Sequence, residues 1–359
     1  MNDSKVLLQT IVALSHEFGT PDYIQGGGGN SSCKCADTLW IKPSGTTLAG
    51  LTTAILVAMD RARLSRLYSV PTPPDAAARE ELVKNMMAEA VKPETPGRAS
   101  VEAPLHDSFS AAFVVHTHPP LVNALTCSRE CSRQAARLFP EAMWVPYVDP
   151  GYTLCMRVRG MIAEFRARRG REPDLILLEN HGIFVAADTA DDVRRIYASV
   201  MDRLQAAYRT AGIPTALRMG APAPAAEVSR TEALIRRAFG EDAAAVVCGG
   251  IFAVAEGPLT PDHLVYSKAY PFGGPLTENA AAEFKALRGY APRVILTEAG
   301  VFAIGPSEKT ATLAMDLAQD GALVFQLSEA FGGIQYLGDE ARSFIENWEV
   351  EAYRMKQLK

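Results

Sequence analysis

Apolar residues recur along the chain with two different periods, and the two alternate in a way that predicts an α/β protein. From Val6 to Phe18 they stand three and four residues apart, as on one face of a helix, and Gly19 follows as a candidate C-cap. Short apolar runs bounded by glycine, proline or polar residues predict strands. These runs are Thr38–Lys42, Ile55–Ala58, Phe113–His118, Met143–Tyr147, Asp174–Leu178 and Ile183–Ala186.

Helical patterns fill most of the chain between these runs. Ser100 is a candidate N-cap for a short helix on which Glu102 and His106, four residues apart, face the same way. Further helical segments are predicted to begin near residue 60 and to cover 75–91, 121–127, 130–138, 153–169, 189–211 and 341–359.

The chain is long enough for two domains. Its 359 residues, 48% of them hydrophobic, can bury one large core or two of medium size. The proline- and alanine-rich stretch Ala221–Ala226 indicates a linker. We therefore predict a first domain over residues 1–218 and a second α/β unit over 219–359.

The second unit can be aligned in part with the first. The alignment keeps the apolar frame but puts an alanine, residue 299, in the place of His181. This pattern predicts a degenerate repeat without a metal centre of its own. The aligned pairs are Val294–Ala303 with Ile176–Val185, and Gly257–Tyr266 with Gly50–Val57.

The charge of the chain argues against one class of partner. The formal net charge is −5, the signs are interspersed and there is no long basic stripe, so nucleic acid is not an expected partner. No apolar window approaches the length that crosses a bilayer, and the amino terminus is amphipathic. We expect a cytoplasmic protein without membrane contact.

The cysteines do not indicate a disulfide scaffold. They are few for a chain of this size and do not form two Cys-X-X-Cys pairs. A thiolate metal site at Cys33 and Cys35 would need a second pair, so we expect free thiols in a reducing compartment. The six are Cys33, Cys35, Cys127, Cys131, Cys155 and Cys248.

Two histidines end the apolar run that begins at Phe113. Side chains two residues apart on a strand point to the same face, so His116 and His118 project side by side before Pro119 stops the strand. His181 stands before Gly182 at a corner between two further apolar runs, where a glycine permits a tight turn. Three imidazoles around one divalent ion, with a position left open, are typical of a catalytic zinc site.

The alternative is that these histidines, three of six in the chain, lie in a core or on the surface. A single histidine would favour that interpretation. The combination of His-X-His at a strand end with a histidine in a glycine corner favours the metal site. Glu102 is the candidate carboxylate for proton transfer, and His106 either orients it or packs its helix.

A glycine-rich segment precedes the strand Thr38–Lys42. Gly26–Gly29, Asn30 and Ser32 offer backbone and side-chain donors, and the turn Pro43–Thr47 follows the strand, so the two loops could hold a phosphate or carboxylate. The segment lacks the ending of a nucleotide P-loop and the setting of a dinucleotide fingerprint. A flexible loop is the alternative. Lys34 and Lys42 supply positive charge, or else are solvated strand lysines.

Five separated motifs together resemble the class II aldolase/adducin family. Their order and approximate spacing agree with that family over roughly residues 1–215. The full chain is also similar to the aldolase portion of long bacterial rhamnulose-phosphate aldolase/dehydrogenase proteins, and no stretch of it resembles their short-chain dehydrogenase half. The motifs are Gly27–Lys34, Ile41–Thr46, Ser100–Glu102, His116–Pro119 and Asn180–Gly182.

The resemblance implies a fold, an assembly and a set of roles. The fold would be a three-layer α/β/α sandwich with a mostly antiparallel central sheet, in a homo-oligomer, a dimer or tetramer, with active sites at subunit interfaces. Zn²⁺, or another divalent cation such as Mn²⁺ or Co²⁺, would be held by His116, His118 and His181, with Glu102 as the acid/base. The substrate-binding candidates are Gly29, Asn30, Ser32, Lys34, Lys42, Ser44, Gly45 and Ser100.

The activity implied is cleavage of a ketose phosphate or related sugar acid through an enediolate. Many family members carry a second hydroxyl residue before the glutamate, where this chain has Val101. That departure leaves an unphosphorylated hydroxy acid or another anion as an alternative substrate. Two other functions stay open: a decarboxylase, epimerase or dehydratase of the same family, and a non-catalytic adducin-like protein.

Overall fold

A computed structural model describes residues 2–95 and 97–348, which form two compact units. The first contains residues up to 122 together with 132–204, and the second contains 123–131 and the residues from 205 onward. The domain boundary predicted near residue 218 stays a prediction.

Seven strands form the sheet of the first unit, in the order β3-β2-β1-β4-β7-β6-β5. Neighbouring strands are antiparallel except β5 and β6, which are parallel. The prediction of a mostly antiparallel α/β sheet is confirmed. The strands are β1 (Asn30–Lys34), β2 (Thr38–Ile41), β3 (Val57–Asp60), β4 (Phe113–Thr117), β5 (Met143–Val145), β6 (Leu175–Leu178) and β7 (Gly182–Ala187).

Helices cover both faces of this sheet, so that strands β1, β4 and β6 are buried along their whole length. Ser15 on α1 contacts Ser31, while Ser32, one residue further along β1 and hence on the opposite face, contacts His106 on α4. The helices are α1 (Asn2–Glu17), α2 (Arg61–Ser65), α3 (Ala76–Ala90), α4 (Ala103–Asp107), α5 (Pro120–Thr126), α6 (Cys131–Leu138), α7 (Tyr152–Arg169) and α8 (Ala190–Thr210).

Strand β1 was not predicted, because its sequence, Asn-Ser-Ser-Cys-Lys, reads as part of the glycine-rich loop. All five residues are nevertheless buried, between β2 and β4. A buried strand can carry polar side chains when each finds a hydrogen-bond partner. The side chains of Asn30, Ser32 and Lys34 all do so, on the α4 side of the sheet.

Two predicted caps differ from the structure. Gly19 is not in a left-handed conformation; a Cβ there would stand 2.5 Å from the backbone nitrogen of Ala49, so the glycine permits a close backbone approach. The N-cap of α4 is Glu102 and not Ser100, although the Ser100 hydroxyl accepts from the Glu102 N–H at 3.3 Å.

The second unit has a three-stranded antiparallel sheet in the order β8-β10-β9. Its cores are built mainly from helices packed on this sheet. The elements are α9 (Ala225–Phe239), β8 (Ala245–Gly250), α10 (Pro261–Tyr266), α11 (Glu278–Arg288), β9 (Val294–Thr297), β10 (Gly300–Gly305), α12 (Glu308–Ser328) and α13 (Asp339–Asn347). Of the helix predicted for 341–359, residues 349–359 lie outside the described part.

One of the two aligned segments has the same order of elements in both units. Hairpin β9-β10 is followed by a helix of 21 residues, as hairpin β6-β7 is. The other alignment is wrong. It pairs the end of Gly257–Tyr266 with the end of Gly50–Val57, but Pro261–Tyr266 is a helix, whereas Val57 begins strand β3. A common origin of the units stays a prediction.

Two further sequence expectations concern the chain as a whole. Each of the six cysteines is a free thiol. Among the described helices, none combines the length and apolar character needed to cross a membrane.

Candidate metal centre

Three histidines meet at one end of the first sheet, where β4 ends and β6 turns into β7. His116 lies on β4, His118 directly follows it, and His181 occupies the turn between β6 and β7. Their candidate ligand atoms all lie within 4.8 Å of one another, and Nε2 of His116 is 2.9 Å from Nε2 of His118. All three side chains are buried. His181 therefore lies beside His116 and His118, although it is more than 60 positions away in the sequence.

The environment of His116 leaves one ring nitrogen ready for a metal. Its Nδ1 lies 2.9 Å from the carbonyl oxygen of Ile183, which can only accept, so Nδ1 carries the proton and Nε2 presents a lone pair. Burial lowers the pKa of His116 to about 3, which keeps the ring neutral. The ring also stacks on Phe184 with centroids 3.9 Å apart, which fixes its plane.

The turn that carries His181 is built differently from the predicted one. Asn180 takes the left-handed conformation, with φ of 50°, a region that asparagine tolerates better than most residues. Gly182 has another function: a Cβ there would come within 2.5 Å of both the His118 ring and the Thr117 carbonyl oxygen. The glycine thus lets β7 approach the His-X-His segment.

The carboxylate of Glu102 stands beside these imidazoles. Its Oε2 is 3.6 Å from Nε2 of His116, and its Oε1 is 3.8 Å from Nε2 of His181. The glutamate is 5% exposed, so it acts in a largely dehydrated environment where electrostatic effects are strong. Glu102 can therefore reach an ion or a substrate held by the histidines.

A chain of hydrogen bonds orients Glu102. Asn30 donates from Nδ2 to Glu102 Oε2 at 2.5 Å and to Ser100 Oγ at 3.2 Å, while its Oδ1 accepts from Nε2 of His106. The other nitrogen of His106 accepts from Ser32 Oγ at 2.7 Å. Burial lowers the pKa of His106 to about 3, so the ring is neutral and donates in only one direction.

This network connects His106 to Glu102 and gives Asn30 a contact that the sequence did not predict, while the substrate-binding role of Asn30 stays a prediction. His106 supports Glu102 through Asn30, and the Asn30 amide faces the carboxylate. Sequence analysis assigned Asn30 to substrate binding only. The missed signal was the alternation of polar residues 30, 32 and 34, which is that of one face of a strand.

The remaining substrate-binding candidates lie in two groups. Gly29, Ser44, Gly45 and Ser100 stand where backbone segments meet: a Cβ at Gly29 would be 2.6 Å from the His116 carbonyl oxygen, and the Ser100 N–H donates to the Lys42 carbonyl at 3.3 Å. Gly29 and Gly45 have positive φ, of 58° and 83°. Their role in binding a substrate stays a prediction.

The side chains of Lys34 and Lys42 are both buried, so neither is a solvated strand lysine. The Lys42 ammonium donates to the carbonyl of Thr46 at 2.6 Å and to that of Gly27 at 3.4 Å, so it joins the glycine-rich segment to the turn after β2. Lys34 donates to the carbonyls of His106 and Phe109. Each ammonium thus supports the loops or helix that carry other candidate residues.

Comparison with known families agrees with this site. The model of the class II aldolase and adducin N-terminal domain matches residues 9–208, more than half of the chain. The chain belongs to the class II aldolase and adducin family. The matched segment contains the three histidines, Glu102 and the hydrogen-bond chain that supports it.

One curated relative of this class II aldolase family member is the uncharacterized oxidoreductase YuxG of Bacillus subtilis (strain 168). The two are 29% identical over 175 residues, which cover 46% of this chain and 24% of YuxG. The match therefore spans less than two thirds of the length of that relative.

Several solved structures are similar to the class II aldolase part. The N-terminal class II aldolase domain of a conserved protein from Thermoplasma acidophilum is 22% identical, covers 55% of this chain and 92% of that one, and has a TM-score of 0.49. A sugar-phosphate aldolase from Thermotoga maritima is 12% identical, with 59% and 98% covered and a TM-score of 0.41. L-fuculose-1-phosphate aldolase from Thermus thermophilus is 19% identical, with 55% and 92% covered and a TM-score of 0.35.

Proposed function

We propose that this protein is a metal-dependent aldolase that cleaves a ketose phosphate or a related sugar acid into a dihydroxyacetone-type fragment and an aldehyde. The observation that carries the proposal is the buried cluster of His116, His118 and His181 with the carboxylate of Glu102 beside it. Family membership supports a lyase reaction.

The donor set fits a divalent cation. Three neutral nitrogen ligands suit zinc, and also manganese or cobalt, and they leave a coordination position open. His116 is held by Ile183 in the tautomer that such binding requires. When bound, the cation supplies a Lewis acid that stabilises the negative charge left when a bond next to a carbonyl breaks.

Glu102 moves the proton in this proposal. The Glu102 carboxylate takes the proton from the hydroxyl on the carbon that becomes the aldehyde, and the electron pair of that O–H bond forms the new carbonyl bond. The carbon–carbon bond breaks, and its electron pair stays on the carbon next to the carbonyl of the other fragment. That carbon must take up a proton, and Glu102 is the buried acid beside the histidines. The Asn30 amide holds Oε2, so the carboxylate keeps one orientation through the reaction.

The distal anion of the substrate would contact the backbone around Gly29, Ser44, Gly45 and Ser100. Positive φ values at Gly29 and Gly45 permit backbone N–H groups to converge on an anion. A homo-oligomer, with part of each site completed by a neighbouring subunit, belongs to the same proposal.

The test is an assay of purified protein, loaded with zinc, manganese or cobalt, against ketose phosphates and sugar acids. Released aldehyde supports the proposal, and Glu102→Gln serves as the matched control. An epimer or carbon dioxide without aldehyde would assign the site to an epimerase or decarboxylase. If the purified protein binds no metal, the proposal fails and the non-catalytic, adducin-like function is favoured.

A further inference from the structure

One edge of the sheet in the second unit is open. Strand β8 (Ala245–Gly250) is outermost in the order β8-β10-β9, and all six of its residues are only half-buried. The opposite edge is covered, because the N–H of Phe272 donates to the Val294 carbonyl and the N–H of Leu296 donates to the Phe272 carbonyl, both at 2.8 Å. Of the described strands of this sheet, β8 alone therefore presents a free edge.

The hydrogen bonds of β10 show which backbone groups of β8 point to that edge. The N–H of Ile304 on β10 donates at 2.9 Å to the carbonyl of Arg293, which directly precedes β9. Backbone groups of successive residues point to opposite sides of a strand, so those of Ala303 point to β8. Ala303 is paired with Val247. The N–H and C=O groups of Val247 therefore bond to β10.

The two neighbours of Val247 point the other way. The N–H and C=O groups of Val246 and Cys248 face the open edge, and none of them bonds to another residue of the described part of the chain. A row of unpaired backbone groups is a template for a further strand. Strand β8 has no charged residue and no proline to prevent such pairing, and its one irregularity lies beyond Cys248.

The side chains of β8 would gain from a further strand on both faces of the sheet. Val246 and Cys248 pack against the cluster that contains Ile235 of α9, and Val247 packs on the other face against the cluster that contains Met315 of α12. All three remain partly exposed. A strand added at this edge would remove apolar surface of each from water, which favours association.

The free groups of β8 match those of a second copy of β8. In an antiparallel pair, residues whose backbone groups face each other exchange two hydrogen bonds. With a two-fold axis at Val247, Val246 of each copy stands opposite Cys248 of the other, and all the outward groups of these residues are bonded. An axis at Val246 would need Ala244, whose N–H already donates to the Glu241 carbonyl at 3.4 Å.

The charges near the ends of β8 also favour its own copy as partner. Glu241 is exposed just before the strand. Arg218 is exposed near its end, where the N–H of Gly220 donates to the Ile251 carbonyl at 2.7 Å. Neither charged side chain forms an ion pair with another described residue. Antiparallel pairing brings the start of one strand to the end of the other, so Glu241 of each copy lies on the side of Arg218 of the other.

We propose that β8 is an interface between two copies of this chain. The two strands pair antiparallel about a two-fold axis at Val247, so that the sheets of the two second units become one continuous sheet. The interface uses residues of the second unit alone. The proposal therefore stands whether or not the first unit is an aldolase.

The first test is size-exclusion chromatography of the full chain with light scattering. Val246→Pro removes an outward N–H group and leaves the hydrogen bonds to β10 in place, since proline is tolerated on an edge strand where its nitrogen faces outward. This variant should have half the mass of the wild-type particle. Leu287→Lys changes a side chain of the same unit that is 76% exposed and should keep the wild-type mass.

The second test is oxidation of Val247→Cys in the Cys248→Ser protein, which probes the register. Opposite residues of a non-hydrogen-bonded pair have their Cα atoms about 4.5 Å apart, within the span of a disulfide. Mild oxidation should therefore link two copies of the double variant, as seen on a non-reducing gel. Cys248→Ser alone is the control and should give no linked dimer.

The proposal predicts that wild type is larger than one chain. A wild-type particle of single-chain mass would overturn it and would leave the edge of β8 to a strand of another protein. An unchanged mass for folded Val246→Pro, or no linked dimer from Val247→Cys, would also overturn it. Should Val246→Pro fail to fold, the oxidation decides the question, because Val247→Cys keeps every backbone group of the strand.

Discussion

The amide nitrogen Nδ2 of Asn30 lies 2.5 Å from carboxylate oxygen Oε2 of Glu102. An ionised carboxylate only accepts, so Asn30 turns its NH₂ group to Glu102 and its Oδ1 to Nε2 of His106, which donates to it. The amide is therefore held between Glu102 and His106, and the other ring nitrogen of His106 lies 2.7 Å from the Ser32 hydroxyl. In the proposed reaction this network positions the acid/base.

Asn30→Asp tests that role with almost no change of shape. The new carboxylate would face Glu102 with like charge where a donor stood, and this repulsion would turn the Glu102 side chain away. We expect kcat to fall by about 10²-fold, within the range typical of acid–base catalysis. Ser32→Ala, which removes the outer end of the network, should have a smaller effect. Equal activity of wild type and Asn30→Asp would contradict the positioning role.

Glu102→Gln tests the acid/base itself. The amide keeps the size of the side chain but cannot transfer the proton, so kcat should fall by about 10²- to 10⁴-fold. Metal content, measured by mass spectrometry, should stay near that of wild type because the three imidazoles are unchanged. A variant that loses its metal would show instead that Glu102 acts mainly as a ligand.

His181→Ala should abolish tight metal binding, with His16→Ala as the control. His16 also contacts a carbonyl, that of Leu51 at 2.7 Å, but lies on α1 away from the cluster. A bound ion stabilises only the folded state, so a chelator should lower the melting temperature of wild type and His16→Ala but not of His181→Ala. An identical response of all three proteins would rule out this metal site.

Gly182→Ala and Gly160→Ala form a matched pair. The new methyl at residue 182 would stand 2.5 Å from the His118 ring and the Thr117 carbonyl, so β7 or the ring must move. At Gly160, inside helix α7, no atom lies within 4 Å. We expect Gly160→Ala to raise the free energy of unfolding by about 0.5–1 kcal/mol, and Gly182→Ala to lower it and to weaken metal binding. Urea denaturation measures the first effect and metal titration the second.

The three histidines of the candidate metal centre could be grouped from the sequence because their signal is local. His116 and His118 share a face by strand geometry alone, and a histidine in a turn between two apolar runs stands at a sheet end whatever the rest of the fold. Strand β1 could not be found that way. Its polar residues are buried because α1 and α4 supply partners such as Ser15 and His106, and His106 lies 74 positions further along the chain than Ser32.

The corner at His181 shows a second limit. Sequence analysis correctly placed a tight turn there but gave the special conformation to Gly182, whereas Asn180 adopts it. A glycine is needed at residue 182 because a side chain there would collide with the His118 ring. This close approach cannot be predicted from the spacing of residues in the sequence. Likewise, the pattern of Leu264–Tyr266 suits a strand or a helix equally, and tertiary packing selected the helix.

Lys34 offers a prediction about pH and stability. Its side chain is buried and donates to the carbonyls of His106 and Phe109, and burial lowers its pKa from 10.5 to about 7. Between these two values the unfolded chain binds the proton and the folded chain does not. The free energy of unfolding therefore rises with pH across this window, by at most about 1.4 kcal/mol per pH unit from this group.

The comparison with Lys34→Met isolates this contribution, since every other titrating group is common to both proteins. In urea denaturation the stability of wild type relative to Lys34→Met should be constant below pH 7 and should increase from pH 7 towards pH 10. Lys84→Met removes an exposed lysine that pairs with Glu81 at 3.1 Å, and its difference from wild type should not follow that curve. A flat difference for Lys34→Met would show that the buried amine keeps its proton, in which case the two carbonyls hold an ammonium ion throughout.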